Sequence, residues 1–422
     1  MCSFAVSDRG GLLTSNDYAA RRGPDYTSYT SINGINVVHN LLHITGERSI
    51  QPFEKNNKIC VYNGEIYNYS KFKNYKSDGE CLLDLYEEYG EGFASKLDGE
   101  YAIVLIDFDE NKIILSSDCF STKPMWYSFC DGIGIASFKT QLERIGFKNI
   151  IKQQHNTTNI FDLTTKKILN SFSNYTFCLH QHKDTFNDWN LAFQDSIRKR
   201  SYAKDIFIGL SSGFDSGLIA LELTNQNIDF VTLSIIEGED RGIIADRVRQ
   251  LKNHKEIIID ESLYKEFQLL EYDEHDFKTD KAAFGIFNAF KVARELGKKV
   301  IICGHGADEI ISDYGFNGKK IYEQSTFGGL FPNNLESVFP WNSFYEGTQQ
   351  VYISKVESVA SYFGIESRYP FLDQKLVQEF LWLTPRLKNT EYKGCIQNYL
   401  KQYNYPFALE KIGWPAAPCS LI

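Results

Sequence analysis

The sequence predicts a two-domain α/β protein. Three observations predict it: a strand-rich first half, a second half in which strands alternate with helices, and two small-residue loops that each follow a strand of that second half. In the first half, Ile59–Tyr67 is β-rich, and Tyr101–Leu115 reads as two strands broken at Asp109-Glu110-Asn111. Met125–Phe138 reads as a hairpin turning at Asp131-Gly132, a dipeptide that tolerates the positive φ angles of a tight turn. One helix, at about Ser77–Tyr89, interrupts this antiparallel, layered half.

The pattern changes near Lys183. Trp189, Phe193 and Ile197 recur at helical spacing within Asn187–Arg200. Strands then follow at Asp205–Leu210, Asp229–Ile235, Glu256–Asp260 and Lys299–Cys303, separated by helices from Leu218, over Ile244–Leu251 and over Phe284–Leu296. Such alternation predicts a parallel sheet covered on both faces, with ligands at the carboxyl ends of its strands.

Composition narrows the function classes. The chain has 422 residues, 43% hydrophobic and 23% charged, without a low-complexity tract. A net charge of −9 argues against a general nucleic-acid binder. No apolar run approaches the ~20 residues of a membrane span, and the N-terminus lacks the basic and apolar regions of a secretory leader. Nine cysteines without a CxxC pair read as reduced thiols, not a disulfide framework or zinc site, so the expected location is cytoplasmic.

Three segments carry chemistry. Cys2 directly follows Met1, and removal of that methionine would join a thiol nucleophile to a free α-amino group, a base with a pKa near about 8. Ile208-Gly-Leu-Ser-Ser-Gly-Phe-Asp-Ser216 is a strand running into a small-residue loop that opens a helix, a form suited to phosphate. Asp215 could orient Mg²⁺ there; an ordinary capped βα turn is the plain alternative. Cys303-Gly-His-Gly-Ala-Asp-Glu309 is a second such loop, with His305, Asp308 and Glu309 as titratable groups.

Together with further motifs, the chain resembles the glutamine-dependent (class B) asparagine synthetases. Arg22-Gly-Pro-Asp25, Gln51-Pro52, Asn63-Gly-Glu-Ile-Tyr-Asn68, Ser77-Asp78 with Glu80, Leu97-Asp-Gly99, Lys123-Pro124 and Ala136-Ser137 match in family order. So do Ser211–Ser216, Cys303–Glu309, Glu366-Ser-Arg-Tyr-Pro-Phe-Leu-Asp373 and Lys411-Ile-Gly-Trp414. The resemblance implies an αββα N-terminal-nucleophile glutaminase over residues 2–182 and a doubly wound ATP-pyrophosphatase domain over residues 187–422. It further implies that Cys2 attacks glutamine, that Asn63 and Gly64 stabilise the oxyanion, and that Glu65 and Asp78 hold the substrate's α-amino group. In the second domain, Ser211, Ser212, Gly213, Asp215 and Ser216 would cradle pyrophosphate, and Leu210, Ile235, Cys303 and Gly304 would line the nucleoside pocket. Asp215 and Asp308 would hold Mg²⁺, and Lys411 would neutralise the departing pyrophosphate, with Lys393 a second candidate. ATP and Mg²⁺ are the implied cofactors. The implied partners are small molecules (glutamine, ATP and a carboxylate acceptor, by default L-aspartate), with no nucleic acid or membrane, and a homodimer if the chain self-associates.

Four departures from the family pattern bear on this reading. Ser3 replaces a usual glycine; a side chain there crowds the nucleophile's pocket, but serine is small enough to be compatible with activity. Leu41 stands where an arginine would bind the glutamine α-carboxylate, leaving Arg48 or backbone donors as substitutes. The pyrophosphate loop reads Ser-Ser-Gly for Ser-Gly-Gly and ends Asp-Ser-Gly217 for Asp-Ser-Ser. His305 replaces a glutamate; as a base titrating near neutrality it would take that carboxylate's catalytic place, the plain alternative being a hydrogen bond within the loop. Two alternatives therefore accompany the default: another carboxylate acceptor, or a weak or absent glutaminase with ammonia or an amine as nucleophile.

Overall fold

In the computed structural model, which describes residues 2–235 and 237–408, the chain divides into two compact units. The first comprises the chain up to Thr176 with the short segments Glu271–Glu274 and Ala360–Gly364; the second comprises the rest.

The first unit is built on two six-stranded antiparallel sheets. Its strands are β1 (Ser3–Ser7), β2 (Tyr26–Ile32), β3 (Ile35–Leu41), β4 (Phe53–Lys55), β5 (Lys58–Ile66) and β6 (Gly99–Asp107). They continue with β7 (Lys112–Ser117), β8 (Trp126–Ser128), β9 (Gly134–Ala136), β10 (Ile151–Lys152), β11 (Thr157–Asp162) and β12 (Ile168–Ser173). One sheet has the order β10-β8-β9-β1-β3-β2, the other β12-β11-β7-β6-β5-β4. Strand alternation assigns each residue to a layer. Phe4, Val6, Val37, Ile59, Val61 and Val104 share one core between the sheets. The intervening residues face outward: Cys60, Tyr62, Ile103 and Leu105 pack with Leu82 and Leu85 of helix α2 (Cys81–Tyr89). On the other side Ala5, Val38 and Ala136 pack with Leu142 of helix α3 (Lys139–Arg144); the short helix α1 is Ala19–Arg22. The order of layers is helix, sheet, sheet, helix.

The second unit carries a five-stranded parallel sheet of β13 (Ile206–Gly209), β14 (Phe230–Ile235), β15 (His254–Ile257), β16 (Val300–Ile302) and, after a small hairpin of β17 (Gly315–Phe316) and β18 (Lys319–Lys320), β19 (Glu366–Arg368). Its order is β15-β14-β13-β16-β19, with every pair parallel. The chain steps outward from β13 to β15 and then returns to the other side of β13, so the order reverses between β13 and β16. A crevice at the carboxyl ends of the strands opens at such a reversal. Helices α4 (Asn187–Arg200), α5 (Phe214–Asn225), α6 (Arg241–Val248), α7 (Tyr264–Phe267), α8 (Lys281–Glu295) and α9 (Ala307–Ile311) connect and cover the sheet. They are followed by α10 (Asn342–Tyr345), α11 (Thr348–Phe363), α12 (Gln374–Trp382), α13 (Pro385–Lys388) and α14 (Gly394–Gln402).

Several expectations shift at their edges. Helix α5 begins at Phe214, inside the loop motif, and not at Leu218. Helix α6 starts at Arg241 because the Asp240 side chain accepts from the N–H groups of Gly242 and Ile243. The third strand ends at Ile257, short of Asp260, which instead caps the next turn. The fifth strand, β19, was not anticipated from its sequence. Among the described residues no helix is long and apolar enough to cross a membrane.

Ile103, at the centre of β6, has no exposed surface and packs against the α2 layer. Ile103→Ala should destabilise the first unit by about 2–5 kcal/mol, read as an earlier urea-unfolding transition with the second unit's transition unmoved.

Candidate active sites

In the first unit, chemistry gathers where β1, β3 and β5 meet. Cys2 is partly exposed, and its carbonyl accepts from Nε of the buried Arg22 at 2.8 Å. Ser3 does not crowd it. The Ser3 hydroxyl points to the opposite face of β1, donating to the Ala19 carbonyl at 2.7 Å and accepting from Asn40 Nδ2 at 2.9 Å. The Ser3 side chain is thus occupied by Ala19 and Asn40.

Asn63 is fully buried, and both its amide atoms lack hydrogen-bond partners. Such groups are rare because leaving them unmade costs stability, which marks Asn63 as a candidate binding group. Gly64 has φ +144°, and a Cβ there would lie 1.9 Å from the Glu100 carbonyl oxygen, so only glycine lets β5 lie this close to β6. Asp78 accepts from the Tyr62 hydroxyl at 2.6 Å and the Ile66 N–H at 2.8 Å. Burial, then Asp78 and Glu65, push the Tyr62 phenol well above its ordinary value, so both carboxylates lie near that hydroxyl. Leu41 is buried at the end of β3, opposite Tyr26. Arg48 stacks over the Tyr26 ring at 4.8 Å and donates to the Asp25 carbonyl at 3.0 Å, which places an exposed guanidinium beside Leu41's cross-strand neighbour.

In the second unit, a cavity of about 400 Å³ lies against both small-residue loops, which follow β13 and β16. Ser211, Gly213, Asp215 and Ser216 line one side and Cys303, Gly304, His305 and Asp308 another. Ser211 and Ser216 hydroxyl oxygens lie 2.7 Å apart, and the Ser211 hydroxyl accepts from the Gly213 N–H at 3.2 Å. This tight loop runs directly into α5, whose N-terminal N–H groups and dipole favour an anion. A Cβ on Gly304 would approach the Asp215 Cβ at 3.2 Å, so the two loops are close neighbours.

Lys393 is the centre of this site. Its ammonium is buried and lies 2.7 Å from Asp215 Oδ1 and 2.8 Å from Asp308 Oδ1. Burial alone would push it down, but Asp215 and Asp308 hold it well above lysine's ordinary value. The Tyr392 hydroxyl donates to Asp308 at 2.9 Å. Lys393 itself has φ +51°, a left-handed conformation held at the start of α14. Two carboxylates converging on one cation also suit Mg²⁺, a hard ion bound through one or two carboxylates plus substrate phosphates. Among the described residues no larger cluster of His, Cys, Asp and Glu could hold a metal.

Other expected residues fall elsewhere. Ser212 is fully buried, and its N–H donates to Glu239 Oε2 at 2.6 Å, so it faces Glu239 and does not line the cavity. Leu210 and Ile235 are buried without lining it either: Leu210 directs its N–H to the Leu233 carbonyl at 2.8 Å, and Ile235 pairs with Ile257. Lys411 and the Lys411–Trp414 signature lie outside the described residues. Sequence reasoning missed Lys355 and Tyr352 of α11, which line the cavity with Asp280, the cap of α8 and ion-pair partner of Lys355. Those residues stand in no motif, and an isolated lysine reads as a surface charge.

His305 is corrected in its protonation. It is half-buried, its Nδ1 is enclosed without a hydrogen-bond partner, and its ring lies 6.2 Å from that of Tyr352. Burial and then Lys355 push it down to about 4, with Asp308 opposing. A pKa pushed down this far favours the neutral imidazole at neutral pH, which can still accept a proton but is a weaker base than one titrating near neutrality.

Comparison with known proteins gives two family models. Residues 1–178 match a glutamine amidotransferase domain and residues 189–340 an asparagine synthase domain. A putative glutamine-hydrolysing asparagine synthetase of Methanocaldococcus jannaschii is 26% identical, over 92% of this chain and 74% of its own length. A probable glutamine-hydrolysing asparagine synthetase of Acanthamoeba polyphaga mimivirus is 27% identical, over 90% of this chain and 76% of its own. The glutamine-hydrolysing asparagine synthetase of Gallus gallus is 24% identical, over 92% and 76% respectively.

The state of His305 gives a pH dependence. The unfolded chain takes up this proton near pH 6.5, whereas the folded protein refuses it until about pH 4. The stability it contributes is therefore complete above pH 6.5 and lost as pH falls through the folded value. Between those limits the unfolding free energy should fall more steeply for the native protein than for His305→Gln, the difference reaching about 3 kcal/mol in denaturant titrations.

Proposed function

This chain belongs to the glutamine-dependent asparagine synthetase family of carbon–nitrogen ligases, and from that premise we propose that it amidates an adenylated carboxylate with ammonia from glutamine. The observation that most supports this reading is the convergence of two phosphate-loop candidates on one cavity around Lys393, Asp215 and Asp308. In the glutaminase half, residues 2–182, the Cys2 thiolate attacks the side-chain carbonyl carbon of glutamine. The C–N bond breaks, ammonia departs with the proton carried by the α-amino group, and water hydrolyses the thioester to glutamate. Asn63 Nδ2 and the Gly64 N–H stabilise the oxyanion. Asp78 and Glu65 hold the α-ammonium, and Arg48 takes the α-carboxylate in place of the residue Leu41 lacks.

In the synthetase half, residues 187–422, an acceptor carboxylate oxygen attacks the α-phosphorus of ATP and pyrophosphate leaves. Ammonia then attacks the acyl carbon, and AMP leaves with the electrons of the broken C–O bond. Ser211, Gly213 and Ser216 hold the pyrophosphate with the N-terminus of α5, and Cys303 and Gly304 border the nucleoside. Mg²⁺, held by Asp215 and Asp308, would screen the phosphate charge; Lys393 and Lys411 balance that charge from the protein.

L-Aspartate is the default acceptor. A second reading, another carboxylate, is favoured by neutral His305, which faces Tyr352 and Lys355 where the family places a carboxylate.

The test is ATP–pyrophosphate exchange with Mg²⁺ and no nitrogen donor. Exchange dependent on L-aspartate is expected under the default; its absence in protein that binds ATP selects the second reading, and absence with a broad set of carboxylates overturns the adenylation. Cys2→Ala should abolish glutamine-dependent amide formation while ammonia-dependent formation persists; retention of the glutamine-dependent product would remove Cys2 from its role.

A further inference from the structure

The charges around the synthetase cavity differ in how far the protein itself already uses them. The carboxylates of Asp215, Asp280, Asp308 and Glu309 line it, and each is claimed by protein donors. Asp215 and Asp308 hold Lys393. Glu309 accepts from the Gly306 N–H at 2.9 Å and from the Tyr314 hydroxyl. Asp280 accepts from the Ala283 N–H at 2.8 Å as the cap of α8, and its other oxygen pairs with Lys355.

The cations that line the cavity, Lys393 and Lys355, are not equivalent. Lys393 is enclosed between two carboxylates. Lys355 is buried as well, but among the described residues Asp280 is its one hydrogen-bonding partner, taking one of three donors. Its ammonium also lies 5.3 Å from the Tyr352 ring centroid and 5.2 Å from that of Phe277, faces that attract the charge. A buried ammonium with donors unmade is costly, and an anionic ligand group would remove that cost. Tyr352, Lys355 and Val356 stand on one face of α11, at helical spacing, and all three line the cavity. The neighbouring His305 ring, 6.2 Å from that of Tyr352, adds no negative charge. A ligand carboxylate reaching this end meets available donors. A ligand ammonium meets an Asp280 already committed to a helix cap and a lysine.

We propose that Lys355 sets the acceptor class: the site takes a dicarboxylic acid, holds one carboxylate on Lys355, and does not read an α-ammonium. The other carboxylate attacks the α-phosphorus of ATP and expels pyrophosphate. Asp280 acts through Lys355: the cap of α8 fixes the carboxylate, and the carboxylate fixes the ammonium. L-Aspartate would then be accepted for its two carboxylates and not as an amino acid. The inference rests on the adenylating reading and narrows its acceptor.

The experiment is ATP–pyrophosphate exchange by the full chain with three probes: L-aspartate, succinate, which lacks the ammonium, and β-alanine, which lacks the second carboxylate. Succinate and L-aspartate should give KM values within about threefold of each other, and β-alanine one at least about tenfold higher. Lys355→Met should raise the KM for both dicarboxylates about tenfold, the scale of losing a charge-assisted hydrogen bond, with the KM for ATP unmoved. A merely structural lysine would move the ATP and acceptor constants together, and that result would overturn the proposal. So would an unchanged acceptor KM in Lys355→Met, or β-alanine serving as well as succinate. Asp280→Asn keeps a good helix cap and removes one charge; the ratio of the succinate and L-aspartate KM values should not change. A rise for L-aspartate alone would show that Asp280 reads the ammonium, against the proposal. Exchange with monocarboxylates only would overturn this inference and leave the adenylating reading standing. Absence of exchange with any carboxylate, in protein that binds ATP, would overturn both.

Discussion

The synthetase site depends on one buried ion cluster. An ammonium removed from water is costly unless opposite charge meets it, and Lys393 meets two carboxylates that arise from different strand-to-helix loops. Asp215 stands in the first turn of α5, after β13, and Asp308 in the first turn of α9, after β16, so the lysine ties together the two sides of the crevice. The reversal of strand order makes that crevice; the ion cluster fixes its width. Tyr392 and the left-handed backbone of Lys393 serve the same end, aiming one side chain at both acids.

The glutaminase half rests on a different constraint, the two-residue period of a strand. Every residue of β1, β3, β5 and β6 has a layer assigned by its parity, and the layers are filled on both sides. That period explains why Ser3 is harmless next to Cys2 and why Asn63 lies fully buried without any side-chain partner. It also explains why the close approach of β5 to β6 falls on glycine. A functional group placed in such a frame is oriented by the sheet before any ligand arrives.

Much of this was legible in the sequence. The strands around Asp109–Asn111 and the hairpin at Asp131-Gly132 follow from turn chemistry, and the βα alternation gives the parallel sheet. The loops Ser211–Ser216 and Cys303–Glu309 announce themselves by composition. What was not legible depends on long-range placement. Strand β19 lies within a signature whose polar Glu366 and Arg368 hide its burial; they are an internal ion pair at 2.7 Å. Ser212 was read as a phosphate ligand because loop composition does not reveal which way one hydroxyl turns, and Glu239 claims it. The histidine's neutrality is a matter of enclosure, which no residue type carries by itself.

A Cβ at Gly217 would stand 2.4 Å from Nη2 of the buried Arg247 on α6, and this contact constrains the order in which such a sequence can arise. A guanidinium that fills the volume of a neighbour's missing Cβ can enter only after that Cβ is gone, so glycine must precede arginine. Once the arginine is seated, a return to a larger residue at 217 meets a held and enclosed group. Substitutions at these two sites are therefore historically contingent: the first opens a path, and the second closes the way back.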